Sequence, residues 1–312
     1  MSALSLPETE KALLSLYLRG SEDLLYAAKE GIEDIVEQYA KEDISLNGSD
    51  ENGYTPLMWA TRKGHTRIVQ ILSDAKADLD KQSSAGNTAL HLTAFHGHAA
   101  ALSILLDAGA NPNMPNYRKD TPLLLALPNA QLTKALVQHR ADVNYRNDYE
   151  STPLKEAAQQ GFLDTVDALL QGEASIDLQD DLKDTALTKA ASNGHEGVVQ
   201  KLIEKRANLN IQNNTHHTAL TAAAEKQHWG IVRLLAEAEA EVPEPLQERC
   251  RPFQLRAHNW RLVAFIVAWL RANRTHPFRF SCLPLAYEVR QLAYNIPPPK
   301  DLFTGKGTGQ KV

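Results

Sequence analysis

The chain has 312 residues, of which 43% are apolar, and a formal net charge of −5 at neutral pH. Residues 1–243 hold 22 Lys and Arg against 34 Asp and Glu, whereas residues 244–312 hold 11 against 4. The acidic first part argues against nucleic-acid binding there, and the basic second part is interpreted as its complement. The cysteines are Cys250 and Cys282 alone, which excludes a disulfide framework in the first part and suits a reducing compartment.

The first segment, residues 1–20, is predicted to be a helical lead-in that ends at Gly20. It has no basic region at its start and contains Pro7, so no cleaved signal peptide is expected. Farther along, the apolar run Trp260–Leu270 is much shorter than the roughly 20 residues that a bilayer span needs. The sequence therefore predicts a cytoplasmic protein without a membrane span.

A Thr followed by a small residue or Pro, and then by Leu, recurs through most of the chain. The six copies begin at Thr55, Thr88, Thr121, Thr152, Thr185 and Thr218, at intervals of 33, 33, 31, 33 and 33 residues. A fixed period of this size indicates stacked supersecondary units rather than one closed domain. The segment Asp23–Gly31 keeps the register without Thr-Pro and is interpreted as an N-terminal capping repeat. The array is predicted to span 21–243, with repeats near 21–47, 48–80, 81–113, 114–144, 145–177, 178–210 and 211–243.

Equivalent positions have equivalent roles in each predicted unit. The Thr hydroxyl caps the first helix, and Pro at the next position, as in Pro56, costs nothing in the first turn. The Leu that follows is expected to point inward at Leu57, Leu90, Leu123, Leu154, Leu187 and Leu220. A left-handed glycine is expected to end the first helix at Gly64, Gly97, Gly161 and Gly194. Each unit ends in Asn or Asp, at Asn47, Asp80, Asn113, Asn144, Asp177 and Asn210.

The Thr-Pro-Leu-x-x-Ala core followed by Gly-His resembles the ankyrin repeat, a β-turn plus two antiparallel helices. The resemblance implies an all-α fold, an α-solenoid whose helix pairs are joined by short β-turn or hairpin fingers. It also implies a concave binding face made of the finger tips and the exposed ends of the first helices. Aromatic and Arg side chains dominate interface energetics. The residues predicted to bind a partner are Tyr54, Trp59, Arg62, Lys63, Phe95, His96, Tyr117, Arg118, Asp148, Tyr149, Gln159 and Gln160.

The array departs from its own pattern in several places. The finger glycine of the first two units is replaced by Lys119, Glu150, Lys183 and His216. If the backbone keeps a positive φ there, each replacement costs roughly 1–2 kcal/mol; the alternative is a rearranged finger. The third copy is two residues short, and because Pro128 disfavours helix at Leu127, its first helix should stop early. We expect a changed stacking angle at that point, which divides the array into two halves. Trp59 is expected to be only partly buried.

Three clusters offer alternative chemistry. His91, His96 and His98 suggest a metal site, but the repeat pattern itself explains His91 and His98, so no metal or cofactor is expected. Gly305–Gly309 lacks the spacing of a phosphate loop. A thiol catalyst built from Cys250 or Cys282 and a nearby His is weaker than the interpretation of both cysteines as small apolar fillers.

Residues 244–296 are predicted to form a small helical C-terminal module that caps the array, and residues 297–312 a disordered tail. Parts of this module, Leu246-x-x-x-Cys250 and Leu283-Pro284-Leu285, resemble a SOCS box, although Pro252 interrupts its first helix. The main prediction is a monomeric, non-enzymatic protein-interaction scaffold whose protein partner the sequence does not identify. The alternatives are an adaptor that recruits a ubiquitin ligase, an enzyme with its chemistry in the C-terminal module, and a bacterial effector that acts on a host protein.

Overall fold

The computed structural model describes residues 21–41, 45–244, 246 and 247. Within these residues the chain forms fourteen helices and no strand, as expected for an all-α fold. None of the described helices is long and apolar enough to cross a membrane. The predictions for residues 1–20, for nearly all of 244–296 and for 297–312 lie outside the described residues.

The helices come in pairs, each with a first and a second member. The first helices are α1 (Ser21–Glu30), α3 (Pro56–Lys63), α5 (Ala89–His96), α7 (Pro122–Ala126), α9 (Pro153–Gln160), α11 (Ala186–Ser192) and α13 (Ala219–Glu225). The second helices are α2 (Glu33–Lys41), α4 (Thr66–Asp74), α6 (Ala99–Asp107), α8 (Ala130–Gln138), α10 (Leu163–Gln171), α12 (Glu196–Glu204) and α14 (Trp229–Glu237). From α1 to α13, first helices pack on neighbouring first helices and second helices on second helices. The result is a two-layered stack, the α-solenoid that the resemblance to ankyrin repeats implied.

By its contacts the chain divides into two compact units, residues 1–235 and residues 236–312. The first unit contains α1–α13 and α14 as far as Leu235. The described part of the second unit is the end of α14 and the residues that follow it to Gln247, in which Ala236 and Ala240 are buried. All the features discussed below belong to the first unit.

The first helices begin where the threonines predicted them. Thr55, Thr152 and Thr185 each accept the backbone N–H three residues ahead on the side-chain oxygen, which satisfies a donor that has no partner inside the helix. The prediction was wrong at Thr121, whose buried hydroxyl makes no hydrogen bond to the start of the short α7. The leucines two residues after each capping Thr are fully buried, at Leu57, Leu90, Leu123, Leu154, Leu187 and Leu220. Because burying one Leu stabilises a fold by roughly 1.5–3 kcal/mol, this row supplies much of the stacking energy.

The glycine prediction needs one correction. Gly64, Gly97 and Gly161 cap their helices in the left-handed conformation, with φ values of 76°, 80° and 77°. Gly194 is also left-handed, at 81°, but α11 ends at Ser192 and its cap is Asn193. Helix α11 therefore ends one residue earlier than predicted, a shift that is common because helix ends fray.

Between the helix pairs lie six fingers: Asp50–Tyr54, Ser83–Asn87, Asn116–Asp120, Asn147–Ser151, Asp180–Asp184 and Asn213–His217. In each, the first residue donates its N–H to the carbonyl four residues ahead. Its side chain also accepts backbone N–H groups, as Asn116 Oδ1 does from Arg118 and Asp120 at 2.9 Å each. The fingers are therefore closed turns that are held from inside by a polar side chain.

The four fingers without glycine keep the left-handed backbone and are not rearranged. Lys119, Glu150, Lys183 and His216 have φ values of 60°, 54°, 59° and 61°. This is the first of the two predicted outcomes, with its cost of roughly 1–2 kcal/mol per finger. The second finger has a further need for glycine, because a Cβ at Gly86 would lie 2.6 Å from the backbone nitrogen of Tyr117.

A discontinuity, called the seam from here on, separates the third finger and α7 from the fourth finger and α9. Helix α7 has only five residues, as predicted from Pro128, and its contact with α9 is the sparsest among the neighbouring first helices from α1 to α13. The other four pairs of adjacent fingers are joined by a backbone hydrogen bond, such as Tyr117 N–H to Ala85 O at 3.2 Å. Among the described residues the third and fourth fingers have no such bond.

The second helices continue across the seam. Helices α8 and α10 pack as closely as other neighbours, and Thr165 Oγ1 donates a buried 2.8 Å hydrogen bond to Leu127 O. The seam is therefore confined to the layer of fingers and first helices. The predicted change in stacking angle at this point stays a prediction.

Candidate functional site

The finger tips and the exposed ends of the first helices form one surface, named the finger face. It carries the largest exposed apolar side chains of the described residues outside α10. Phe95 at the end of α5 is 68% exposed, and the finger-tip residues Tyr117, Tyr149 and Leu182 are 70%, 69% and 54% exposed. Tyr26, also exposed, has the position on α1 that Trp59 has on α3. Exposed apolar side chains collected on one face are typical of binding surfaces.

A groove of about 360 Å³ lies on this face between the second and third fingers and the first helices beneath them. It brings together five of the predicted residues with residues of the scaffold. The predicted residues that line it are Tyr54, Arg62, Phe95, His96 and Arg118, and the carboxylate among its lining residues is Asp120. Tyr54 and Arg62, with Trp59, also line a neighbouring groove at the first finger.

Trp59 is half-buried at the edge of the groove, as its position predicted. Its Nε1 donates a 3.0 Å hydrogen bond to Asp50 Oδ2, and the Tyr54 ring is tilted against it at 5.2 Å between centroids. Lys29 Nζ and the Arg62 guanidinium lie over the ring at 4.9 Å and 5.2 Å from its centroid. These cation–π contacts hold Arg62 in place, and they make Trp59 a support of the face rather than a free anchor.

The cations of the groove have no carboxylate partner among the described residues. Arg62 and Arg118 take part in no salt bridge there, and the same is true of Lys63 at the end of α3. Among the residues that the structure describes, the Arg62 guanidinium stacks on the rings of Tyr54 and Trp59. The positive charge of Arg62 and Lys63 is therefore available to a bound group, whereas that of Arg118 is partly offset by the nearby Asp120 carboxylate, whose pKa it lowers against the effect of burial.

His91 belongs to the scaffold. Its Nδ1 accepts the Thr88 backbone N–H at 3.1 Å, so Nε2 carries the proton and donates to Asp120 O at 3.0 Å. Burial lowers the pKa of His91, and the hydrogen bond to the Asp120 backbone opposes this only in part. A neutral imidazole with both nitrogens engaged joins α5 to the third finger and is not free to bind a metal.

His96 differs from His91 because its side chain is exposed. Partial burial, followed by the nearby His98 and Arg62, lowers the pKa of His96. Its ring lies 5.2 Å edge-on from Phe95 and 6.0 Å from His98, between centroids. Among the described residues, no group of three possible ligand residues is arranged to hold a metal ion.

The Gly-His positions are explained by the stacking of the pairs. His65, His195 and His228 each place Nε2 within 3.2 Å of a carbonyl near the end of the preceding first helix. The glycine that follows this preceding first helix lies against the same ring. A Cβ at Gly161, for example, would be 2.5 Å from His195 Nδ1 and would collide with it. Glycine and histidine therefore serve the packing of neighbouring units.

The remaining predicted residues do not line the groove. Lys63 and Gln160 are exposed at the ends of α3 and α9. Gln159 is half-buried, and its carbonyl accepts hydrogen bonds from His195 and Asn193. Tyr117 and Tyr149 stand on the tips of the third and fourth fingers. Asp148, across the seam, lies 3.8 Å from Lys119 Nζ.

The sequence interpretation missed three contributors to the face. Lys29 and Asp50 support Trp59, and Leu182 is an exposed apolar tip that was not among the predicted binding residues. The signal for Lys29 was its place 33 residues before Arg62, and the signal for Leu182 was an apolar residue at a finger tip. Neither signal is specific without the stacked geometry.

A buried ionic network lies beneath the fingers beyond the seam. Lys155 occupies on α9 the position that His91 has on α5, and its Nζ lies 2.9 Å from Asp180 Oδ2. Both side chains are nearly enclosed, at 7% and 3% exposure. Asp180 Oδ1 accepts the Asp184 N–H, and Lys189 Nζ contacts Asp184 Oδ2 at 2.6 Å. The cations under this part of the face are therefore neutralised within the molecule.

Comparison with known proteins agrees with this architecture. The family model of ankyrin repeats (three copies) matches residues 24–116, 114–180 and 156–244. Among many similar solved structures is that of the ankyrin repeat domain of Bcl-3, described as a unique member of the IκB protein family. It is 25% identical, with a TM-score of 0.61 over 67% of this chain and 97% of that chain. No curated protein sequence matches significantly. Because the family model spans most of its length, the chain belongs to the ankyrin-repeat family, whose repeats indicate a protein–protein interaction domain.

Proposed function

We propose that the chain is a non-enzymatic scaffold that binds a partner protein through the finger face, chiefly through the part before the seam. The observation that carries the proposal is the exposure of two aromatic anchors before the seam, Phe95 in the groove and Tyr117 on the third finger tip, while Tyr149 and Leu182 extend the face beyond the seam. Aromatic side chains of this kind supply large contact areas at a low cost in conformational entropy, and in known interfaces they contribute much of the binding energy.

The frame that holds these anchors supports the proposal. Tyr117 and Arg118 project from a finger whose backbone is closed by Asn116 and joined to the second finger through Ala85. Phe95 lies at the end of α5, whose other residues from Ala89 to Ala94 are buried. Because the anchors are held in place before binding, a partner does not have to order them, and this preserves affinity.

The buried ionisable groups also favour binding over catalysis. His91 is neutral and joins two repeats, and Lys155 is paired with Asp180. Both serve the frame rather than a reactive pocket. The adaptor, bacterial-effector and catalytic alternatives concern the C-terminal module or the cellular setting, and no observation on the described residues favours them. A monomer in the cytoplasm is the setting we propose.

The test uses the exposed anchors and a matched control. Phe95→Ala/Tyr117→Ala removes two aromatic rings from the finger face, and Leu163→Ala removes an exposed apolar side chain from α10. We expect affinity capture with the wild-type chain to retain a partner that the double variant loses, with the affinity of the purified pair falling at least about tenfold. Leu163→Ala should bind like the wild type.

Two results would contradict the proposal: equal capture by the double variant and the wild type, or an equal loss in Leu163→Ala. Circular dichroism and thermal unfolding of each variant verify that the fold is kept. Trp59→Ala is unsuitable for this test because it also removes the Asp50 hydrogen bond and two cation–π contacts.

A further inference from the structure

We infer that the groove before the seam recognises an acidic segment of the partner protein, in which carboxylates flank a large apolar side chain. The inference rests on the proposed function and adds the chemistry of the partner. It follows from the unpaired cations of the groove, from the aromatic residues around them, and from the contrast with the finger face beyond the seam.

The groove combines two kinds of surface that such a segment needs. Arg62 and Arg118 line it as guanidinium groups that take part in no salt bridge among the described residues. Tyr54 and Phe95 line the same groove and offer apolar contact to a side chain between the carboxylates. Arg is the residue best suited to bind a carboxylate, since its planar fork donates two parallel hydrogen bonds.

Two neighbouring aromatic rings hold the Arg62 guanidinium in a position from which it can bind a carboxylate. Its guanidinium lies 5.6 Å from the centroid of Tyr54 and 5.2 Å from that of Trp59. Guanidinium groups stacked on rings are restricted in orientation and keep their edge N–H donors available. The carboxylate of Asp120 lines the same groove, where burial raises its pKa and the nearby Arg118 guanidinium opposes that rise without forming a salt bridge. Two cations against one anion leave the groove positive.

The positive charge of the groove is informative because the rest of the array is acidic. Residues 1–243 hold 22 basic against 34 acidic side chains, so unpaired cations in a groove run against the trend of the array. Beneath the fingers beyond the seam, Lys155 and Lys189 are paired with Asp180 and Asp184, although the exposed Lys183 and Lys226 on that part of the face take part in no salt bridge among the described residues. The fourth and fifth finger tips carry the exposed Asp148 and Asp181, which repel an acidic segment, whereas the second and third finger tips carry no exposed carboxylate and the first carries Glu51. The segment is therefore confined to the first three fingers.

A nucleic acid is the other polyanion that cations and aromatic rings can bind. The charge distribution favours a peptide, since a nucleic-acid strand long enough to use several phosphates extends beyond the groove onto a surface that is acidic overall. A short segment with a few carboxylates matches both the size of the groove and its two guanidinium groups.

The test is a selection of short random peptides displayed on phage, carried out against three forms of the full chain. These are the wild type, Arg62→Gln/Arg118→Gln, and a control, Lys134→Gln/Lys205→Gln, which removes two exposed cations from the second-helix side. We expect peptides selected by the wild type and by the control to be enriched in Asp and Glu around an aromatic or large aliphatic residue. The groove variant should lose this enrichment.

Binding of a selected peptide is then measured by isothermal titration. Removing both Arg side chains should weaken binding at least about tenfold, and raising salt from about 50 mM to about 500 mM should weaken it in the wild type. Arg118→Glu, which alters an exposed finger-tip residue and leaves the Trp59 cluster intact, should shift the selection toward Lys and Arg.

The inference is overturned if no peptide is enriched, if the enriched peptides lack an excess of acidic residues, or if a single-stranded oligonucleotide binds the groove more tightly than they do. It is also overturned if both double variants behave alike. Selected peptides that are neutral yet lose affinity in Phe95→Ala/Tyr117→Ala would refute the acidic preference and leave the proposed function standing.

Discussion

Fingers that turn on glycine are found only before the seam, although the fingers on both sides keep the same backbone. The first two fingers turn on Gly53 and Gly86, whereas the third finger turns on Lys119 and the three fingers beyond the seam turn on Glu150, Lys183 and His216. The backbone angles are nearly the same, so the later fingers bear conformational strain that the first two avoid. The strain is balanced by interactions of the frame around them.

One such interaction is made by the residue three positions after the capping Thr, whose side chain contacts the next finger. On α5, before the seam, the position is His91, a neutral side chain that joins two backbone groups. Beyond the seam it is Lys155, a charged side chain paired with the Asp180 that closes the fifth finger. Beyond the seam Lys155 and Lys189 thus contribute to stability, whereas before it Arg62 and Arg118 are left for a partner. Substitutions that remove the Lys155–Asp180 ion pair, the His91 hydrogen bonds or the strain of a finger one at a time test this difference between the two sides of the seam.

The largest effect is expected at the buried ion pair. Replacing Lys155 by Met leaves the Asp180 carboxylate nearly enclosed without its partner, which costs about 3–5 kcal/mol in the free energy of unfolding. Urea unfolding monitored by circular dichroism measures this change. Lys155→Met/Asp180→Asn is the matched control, because Asn closes the fourth and sixth fingers at the equivalent positions. The double variant should recover most of the loss, and a single variant within about 0.5 kcal/mol of the wild type would refute the role of the pair.

The next effect concerns His91 and acid. Because burial lowers its pKa below the ordinary value of 6.5, the unfolded chain takes up this proton before the folded chain does. The contribution of His91 is therefore complete above pH 6.5 and is lost as the pH falls from there toward the lower pKa of the folded state.

His91→Leu isolates this contribution. It removes the bonds to Thr88 N–H and Asp120 O, so stability at neutral pH should fall by about 2 kcal/mol, and the remaining pH dependence below 6.5 should weaken. The pKa of His96 is also lowered, so His96→Gln serves as the control and should retain the greater part of the acid sensitivity. Equal slopes in wild type and His91→Leu would show that another group is responsible.

A smaller gain is expected from relieving a strained finger. Lys183→Gly keeps the φ of 59° without a Cβ, and should raise the free energy of unfolding by about 1 kcal/mol after the greater entropy of glycine in the unfolded chain is subtracted. Asp181→Gly, in the same finger but at a residue without positive φ, should lower it by about 0.5–1 kcal/mol. Thermal unfolding compares the two, and a loss in both would show that the finger is not strained.

Much of the fold could be predicted because each repeat is specified by local signals. Thr55 and Pro56 start a helix, Gly64 ends it, and Pro128 shortens α7, all through residues adjacent in sequence. The partial burial of Trp59 was also predictable, since equivalent positions carry both Leu92 and polar residues.

The contacts between repeats could not be predicted in this way. Lys155 meets Asp180 from 25 residues away, and Lys29 meets the ring of Trp59 from the neighbouring helix pair. Which side chains meet across a stack depends on the distance and tilt of the units, which the period alone does not give. The candidate site was therefore predicted as a face, and the groove and its unpaired cations emerged only from the folded chain.

The smallest effect is expected at the seam itself. Lys119 Nζ and Asp148 Oδ1, 3.8 Å apart and each more than half exposed, lie where the other adjacent fingers share a backbone hydrogen bond. Because an exposed pair is screened by water and salt, a double-mutant cycle with Lys119→Ala and Asp148→Ala should give a coupling energy below about 0.5 kcal/mol. The equivalent cycle for Lys155 and Asp180, measured by the same urea unfolding, should give a value several times larger. A coupling at Lys119 and Asp148 that matched the buried pair would mean that this ion pair joins the two halves firmly. The first-helix layer would then be continuous, and the confinement of a partner to the first three fingers would lose its structural basis.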